Sequence, residues 1–162
     1  MNIKHFGAIA GIALLAACSH PPQNTAAGNG GGAAPMTTNP GAIVPGSQED
    51  LVANVGDRVF YELNSSALTE AGQATLSKQA DWLAKYASVT VQVAGNCDDR
   101  GTEEFNLALG QRRANAAKDY LVAKGVSSAR VTTISYGKDR PTALGDDEQA
   151  WSQNRNAITS VK

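Results

Sequence analysis

Between Gly95 and Leu121 an acid-rich turn, Asp98-Asp99-Arg100-Gly101, immediately precedes a helical pattern with an arginine inside its apolar stripe. At about 100° per residue, Phe105, Leu109, Ala116, Tyr120 and Ala123 share one face, with Arg113 near its middle and Asn106 one heptad earlier. An arginine on a packing face needs a partner, because an unpaired buried charge is among the costliest features a fold can hold. That partner is either a carboxylate of the protein or a ligand. Asp98 lies in the loop feeding this helix, and the strand-loop-helix reversal carries the long Arg113 side chain back toward it. If the two pair with each other, they brace the loop. If they stand a few ångströms apart, they form a site for a zwitterion. Asp98 would take the ammonium group, and Arg113 with the amides of Thr102 and Glu103 would take the carboxylate.

Other chemistries fit poorly. The two histidines, His5 and His20, both precede the patterned part of the chain, which removes Ser-His and Cys-His nucleophile pairs there. Cys97 beside two aspartates is badly placed to become a thiolate. Cys97, Asp98 and Asp99 mix soft and hard donors too close in sequence for a metal site. Gly137-Lys138 lacks the preceding glycine of a phosphate loop. A formal charge of −1 with no basic cluster argues against nucleic acid. The expectation is a non-enzymatic binding protein that needs no cofactor.

The elements that must position this site read as follows. The chain has 162 residues, 42% of them hydrophobic, a size that suits one domain with appendages. Residues 1–17 carry Lys4 and a short apolar run, Phe6 to Leu15, too brief to span a bilayer, followed by Ala16-Ala17-Cys18. Residues 18–50 are rich in Gly, Pro and Ala without periodicity, a composition that cannot offset its ordering entropy, and read as a flexible tether. Its reach is roughly 30 Å root-mean-square. The domain is expected over residues 51–162. Arg58 to Leu63 reads as a strand. Thr69 caps a helix to about Tyr86, with Leu76, Ala80 and Leu83 inward and Trp82 and Tyr86 flanking. Val89, Val91 and Val93 alternate with polar or small residues as a half-buried strand. Thr102 caps the Arg113 helix, which stops near Lys124-Gly125. Val131 to Tyr136 is a third strand, Glu148 to Gln153 a short helix and Ala157 to Val161 a last strand. The order βαβαβ(α)β predicts an α/β (α+β sandwich) domain, an open sheet with helices mainly on one face.

Leu15-Ala16-Ala17-Cys18 resembles the lipobox of bacterial lipoproteins, which implies cleavage before Cys18 and its acylation. Ser19 in place of Asp implies sorting to the outer membrane, with the domain in the periplasm. With acyl chains contributing about 0.8 kcal/mol per buried CH₂, several of them anchor firmly. Cys97 is then a lone thiol, read as a buried structural one.

Gly95-Asn96-x-Asp98-x-Arg100-Gly101-Thr102 followed by Asn106-x-x-Leu109-Gly110-x-Arg112-Arg113-Ala114 resembles the peptidoglycan-binding motif of OmpA-like C-terminal domains. Within that family the pattern is most similar to the peptidoglycan-associated lipoproteins of the Tol-Pal system. Lys124-Gly125-Val126, Ser135-Tyr136-Gly137-Lys138, Pro141, Leu144-Gly145 and Asn154-Arg155 extend the likeness from about Val59 to Val161. The resemblance implies a mixed four-stranded sheet. It also implies that Asp98 and Arg113 hold the amine and carboxylate of meso-diaminopimelate in the peptidoglycan stem peptide, with Asn106 and Leu109 shaping the pocket. Asn64 stands where the family often has aspartate, Cys97 where alanine or threonine is usual, and Asn156 where a second arginine is common. Arg112 reads as a solvated flank, and Asp99 and Arg100 as loop braces. Implied partners are peptidoglycan and Tol proteins, TolB especially and TolA, in envelope constriction during cell division. Two other classes are a Tol-partner interaction module with little wall binding and a wall-modifying hydrolase.

Overall fold

A computed structural model describes residues 43–162. The expected signal segment, the lipidation site Cys18 and most of the tether lie outside these residues. Among the described residues no helix is long and apolar enough to cross a membrane.

The described chain runs α1 (Gln48–Asn54), β1 (Arg58–Phe60), α2 (Glu70–Lys85), β2 (Val91–Asn96), α3 (Glu103–Ala123), a 3-10 turn (Ser128–Arg130), β3 (Val131–Gly137), α4 (Glu148–Asn154) and β4 (Asn156–Val161). The four strands form one sheet in the order β1-β4-β2-β3. β2 and β3 are parallel, as a crossover through a helix requires, while β4 runs antiparallel to both β1 and β2. The expected mixed sheet is therefore present, and its geometry has a consequence for function. The carboxyl ends of β1, β2 and β3 and the amino end of β4 all meet at one edge. Loops leaving three strands and the α4–β4 junction converge there.

α2 and α3 bury one face of the sheet. On α2 the inward stripe is Gly72, Leu76, Gln79, Ala80, Trp82 and Leu83, so Trp82 joins the core instead of flanking it. Val91 and Val93 of β2 point into this layer and are fully buried. Gln79 is the one uncharged polar side chain of that stripe. Its amide donates to Gly56 O at 2.8 Å and its carbonyl accepts from Thr159 Oγ1 at 2.9 Å, so its burial leaves nothing unpaired.

Three expectations are corrected. The buried face of α3 is Asn106, Leu109, Gly110, Arg113, Ala114, Ala117 and Leu121; Phe105 is 44% exposed and Ala123 lies at the surface. The helix is turned so that Gly110, Ala114 and Ala117 are buried together with Leu109, Arg113 and Leu121, while Phe105 faces outward. The reason is close approach: a Cβ built on Gly95 of β2 would sit 1.8 Å from Gly110 O. Second, the tether boundary at residue 50 falls inside α1. Ser47 caps that helix by accepting from Asp50 N, and Leu51 enters the core. β1 also ends at Phe60, three residues short of the expected Leu63.

α1 is tied down by Asp50, which accepts hydrogen bonds from Gly46 N (2.8 Å), Trp82 Nε1 (3.0 Å) and Asn54 Nδ2 (2.7 Å). These donors, Gly46 N first, lower its pKa from 3.8 to about 2. A depressed carboxylate adds stability that is complete above the unfolded value and is lost as pH falls through the folded one. Asp50→Asn should therefore flatten the acid limb of stability between about pH 4 and pH 2, as followed by urea unfolding at stepped pH. An unchanged acid limb would contradict the assignment.

Candidate functional site

The sheet edge assembled above gathers the ionisable residues that the sequence singled out. Asp98 stands two residues past the end of β2 and is 5% exposed. Arg113 reaches the same edge from the second turn beyond Asn106, with no exposed surface at all. The two do not pair. Arg113 Nε donates to Ser65 O at 2.9 Å, Nη1 to Asn96 O at 2.8 Å and Nη2 to Glu62 O at 3.1 Å. The guanidinium also lies 5.2 Å from the centroid of the Tyr61 ring, whose hydroxyl donates back to Arg113 O at 2.8 Å. Neither partner foreseen for this arginine, carboxylate or ligand, is what meets it. Three main-chain carbonyls do. A flat fork of donors suits such a set better than an ammonium would. Burial lowers the Arg113 pKa from its ordinary value and raises that of Tyr61.

Asp98 takes its hydrogen bonds from two other arginines. Arg100 Nη2 donates to Oδ2 at 2.6 Å and Arg155 Nη1 to the same oxygen at 3.4 Å, while Arg100 N donates to Oδ1 at 3.3 Å. Burial pushes the carboxyl up, but the bond and charge of Arg100, with Arg155, outweigh that and hold it below the usual range. Arg155 is itself fixed by Tyr61 O (3.1 Å) and Glu148 Oε1 (2.6 Å). Arg100 Cζ lies over the Trp151 ring, 4.0 Å from its centroid. The reading of Arg100 as a brace matches this pairing. Asp99 contributes through its carbonyl, which accepts from Lys138 Nζ at 3.3 Å, alongside Gly101 O at 2.8 Å.

The remaining expected residues fall around this centre. Thr102 caps α3, its Oγ1 accepting from Phe105 N, after a turn that Gly101 makes at φ +89°. Asn106 is buried and spans the turn, its amide donating to Arg100 O (2.8 Å) and Thr102 O (3.0 Å). Leu109 is buried behind it. Asn64 is exposed on the β1–α2 loop at φ +53°, a left-handed backbone that asparagine tolerates better than most residues. Arg112 is exposed. Cys97 is a buried free thiol whose Sγ donates to Asn106 O at 3.4 Å. Burial pushes its pKa up, in keeping with an inert thiol. Asn156 is buried and its Oδ1 accepts from Asn96 Nδ2 at 2.8 Å.

Sequence reasoning missed Arg155, Glu148 and Trp151 as members of the cluster. Arg155 lies 57 positions from Asp98, and no local periodicity links them. The signal within reach was Asn154-Arg155, noted only as part of a shared pattern.

Residues 60–155 match the model of the OmpA family. The chain belongs to that family. It is 50% identical over 147 residues to the peptidoglycan-associated lipoprotein of Rhizobium meliloti strain 1021, covering 90% of this chain and 80% of that protein. It is 40% identical to the peptidoglycan-associated lipoprotein of Haemophilus influenzae, covering 91% of this chain and 90% of that protein. Among solved structures, the peptidoglycan-associated lipoprotein from Burkholderia pseudomallei superposes with a TM-score of 0.64 at 39% identity, over 65% of this chain and 90% of that one. The C-terminal domain of Helicobacter pylori MotB superposes with a TM-score of 0.61 at 22% identity, over 65% of this chain and 84% of that one, a likeness of fold alone. As an OmpA-family domain, this chain places Asp98 and Arg113 where the loops leaving β1 and β2 come together.

Proposed function

We propose that this chain is a non-enzymatic lipoprotein that binds peptidoglycan and ties the outer membrane to it. Cys18 carries the acyl anchor, and the domain faces the periplasm. The ligand is the diaminopimelate of the stem peptide. Relatives that share half of the sequence carry the name peptidoglycan-associated lipoprotein, and membership of the OmpA family agrees with it.

One observation carries the zwitterion reading. An acid and an arginine of nearly complete burial share one sheet edge without neutralising each other. Asp98 pairs with Arg100 and Arg155 instead, and the partly exposed Arg100 is a partner that a ligand ammonium can replace. Asp98 receives the ammonium. The carboxylate lies toward the N-terminus of α3, at the amides of Thr102 and Glu103, where the helix dipole favours negative charge. Arg113 lies beneath. Three of its five N–H groups hold carbonyls and none of its surface is exposed, so its part is to fix the 62–65 rim from below. Asn106 and Leu109 shape the floor, and Asn64 stands on the rim. The low pKa of Asp98 suits a permanently ionised acceptor and not a general acid. Modest affinity per site suffices, because many sites on one polymer add through effective concentration. The same domain exchanges the wall for Tol proteins, TolB foremost and TolA, during constriction.

The test is co-sedimentation with purified diaminopimelate-type sacculi. Asp98→Asn should weaken retention at least about tenfold, roughly 1.4 kcal/mol, with an unchanged circular dichroism spectrum. Retention equal to wild type would overturn the diaminopimelate assignment. Binding to TolB without sedimentation would identify an interaction module, and fragments released from the sacculi would identify a hydrolase.

A further inference from the structure

Asp98 is held by two arginines of unequal freedom, and that inequality is informative. Arg155 is 5% exposed and is fixed at three points, Tyr61 O, Asp98 Oδ2 and Glu148 Oε1. Arg100 keeps 35% of its side chain exposed and reaches Asp98 through a single side-chain bond, Nη2 to Oδ2 at 2.6 Å. A second carboxylate oxygen, Glu148 Oε2, lies 3.9 Å from that same Nη2. Between the two acceptors the guanidinium rests on the Trp151 ring. In this position Arg100 Nε and Trp151 Nε1 are both buried without an acceptor. Buried N–H groups are rarely left so, and neither of these two ties the guanidinium to its present position.

We propose that Arg100 is a displaceable plug on Asp98 that sets which cations the site admits. The proposal rests on the reading that Asp98 receives a ligand ammonium. In the free protein the tethered guanidinium occupies the Asp98 oxygen that the ammonium needs. Entry of the ligand moves Arg100 along the Trp151 face onto Glu148, exchanging one ion pair for another. Arg155 stays in place and keeps Asp98 ionised throughout. A lone small cation has only Asp98 to gain, and the attached guanidinium outcompetes it. A stem-peptide ammonium brings a carboxylate and further contacts with it, and displaces the plug. The cluster of Asp98, Glu148, Arg100 and Arg155 is neutral by formal charge, so it attracts no cation from a distance.

The experiment titrates the full chain with a soluble diaminopimelate-containing muropeptide, using wild type, Asp98→Asn, Arg100→Gln, Glu148→Gln and the Arg100→Gln/Glu148→Gln pair. Removing a partly exposed ion pair from the free state should raise affinity up to about fivefold in Arg100→Gln. Ammonium chloride should compete with the muropeptide in Arg100→Gln more than sodium chloride of equal strength does, and should not in wild type. Glu148→Gln should weaken binding in the wild-type background and have no effect in the Arg100→Gln background. If wild type binds, Asp98→Asn does not, and Arg100→Gln is weaker or unchanged, the plug is overturned while the site assignment stands. If Glu148→Gln weakens binding equally in both backgrounds, it acts through Arg155 and the displacement route is wrong. If wild type and Asp98→Asn bind alike, the site assignment itself has failed.

Discussion

Arg113→Ala will lower the stability of the domain by about 3–5 kcal/mol, the range for removing one partner of a buried charged network. The three carbonyls of Glu62, Ser65 and Asn96 lose their donors in a place that water does not reach, and a long side chain leaves a void beside Tyr61. Since small domains have only about 5–15 kcal/mol in total, the variant sits near the edge of folding. Arg113→Met fills most of the void but supplies no donor, so it should recover only the packing part of the loss. Arg113→Lys restores the charge but not the fork, and one ammonium cannot span three carbonyls drawn from the β1–α2 loop and the end of β2. Urea midpoints should rank wild type, then Lys, then Met, then Ala. A loss below about 1 kcal/mol for Ala would mean that the carbonyls find other donors. One consequence is practical. Failure of Arg113→Ala to sediment with sacculi says little about ligand contact, whereas Asp98→Asn leaves the Arg113 bonds in place.

The second large effect belongs to Gly95→Ala. Its new Cβ would lie 1.8 Å from Gly110 O and 2.6 Å from Gly110 C, both main-chain atoms of α3. No rotamer change relieves a collision with backbone, so the helix must lift from the sheet. Overpacking of ordinary cores costs about 1–3 kcal/mol. Here the contact is well inside that of real Cβ atoms, and roughly 3 kcal/mol is a lower bound. Gly110→Ala meets Ser135 Oγ at 2.3 Å and Gly95 O at 2.8 Å. The serine can rotate and the carbonyl cannot, so this variant should fall between wild type and Gly95→Ala. Thermal unfolding of the three proteins checks the order. An equal melting temperature for Gly95→Ala would show that α3 has slack against β2.

Much of the architecture was legible in the residues. The alternation of Val91 and Val93, the caps at Thr69 and Thr102 and the stop at Lys124-Gly125 are local signals, and the structure places elements there, although β2 begins at Val91 and not at Val89. The rotation of α3 was not legible. Phe105 and Tyr120 suggested one face, while the buried one holds Gly110, Ala114 and Ala117 beside Leu109, Arg113 and Leu121, because the helix approaches β2 closely at Gly110. α1 was hidden by the composition around it, and its hold on the domain depends on Trp82, far along the chain. At the site, Arg113 does have the partners its burial requires, but they are main-chain carbonyls, which carry no signature in side-chain types. Arg155 and Glu148 reach the cluster only through the fold.

The strand order has a bearing on how the molecule comes to exist. β1 has a single neighbour, and that neighbour is the last strand in the chain, so Phe60 waits for Asn156 before it can be zipped into place. β2 likewise lacks half of its ladder until β4 slides in between. A growing polypeptide therefore stays pliable until nearly all of it has been made, because late-arriving pairings of long sequence separation must close the sheet. The sheet is closed only when the last strand is in place.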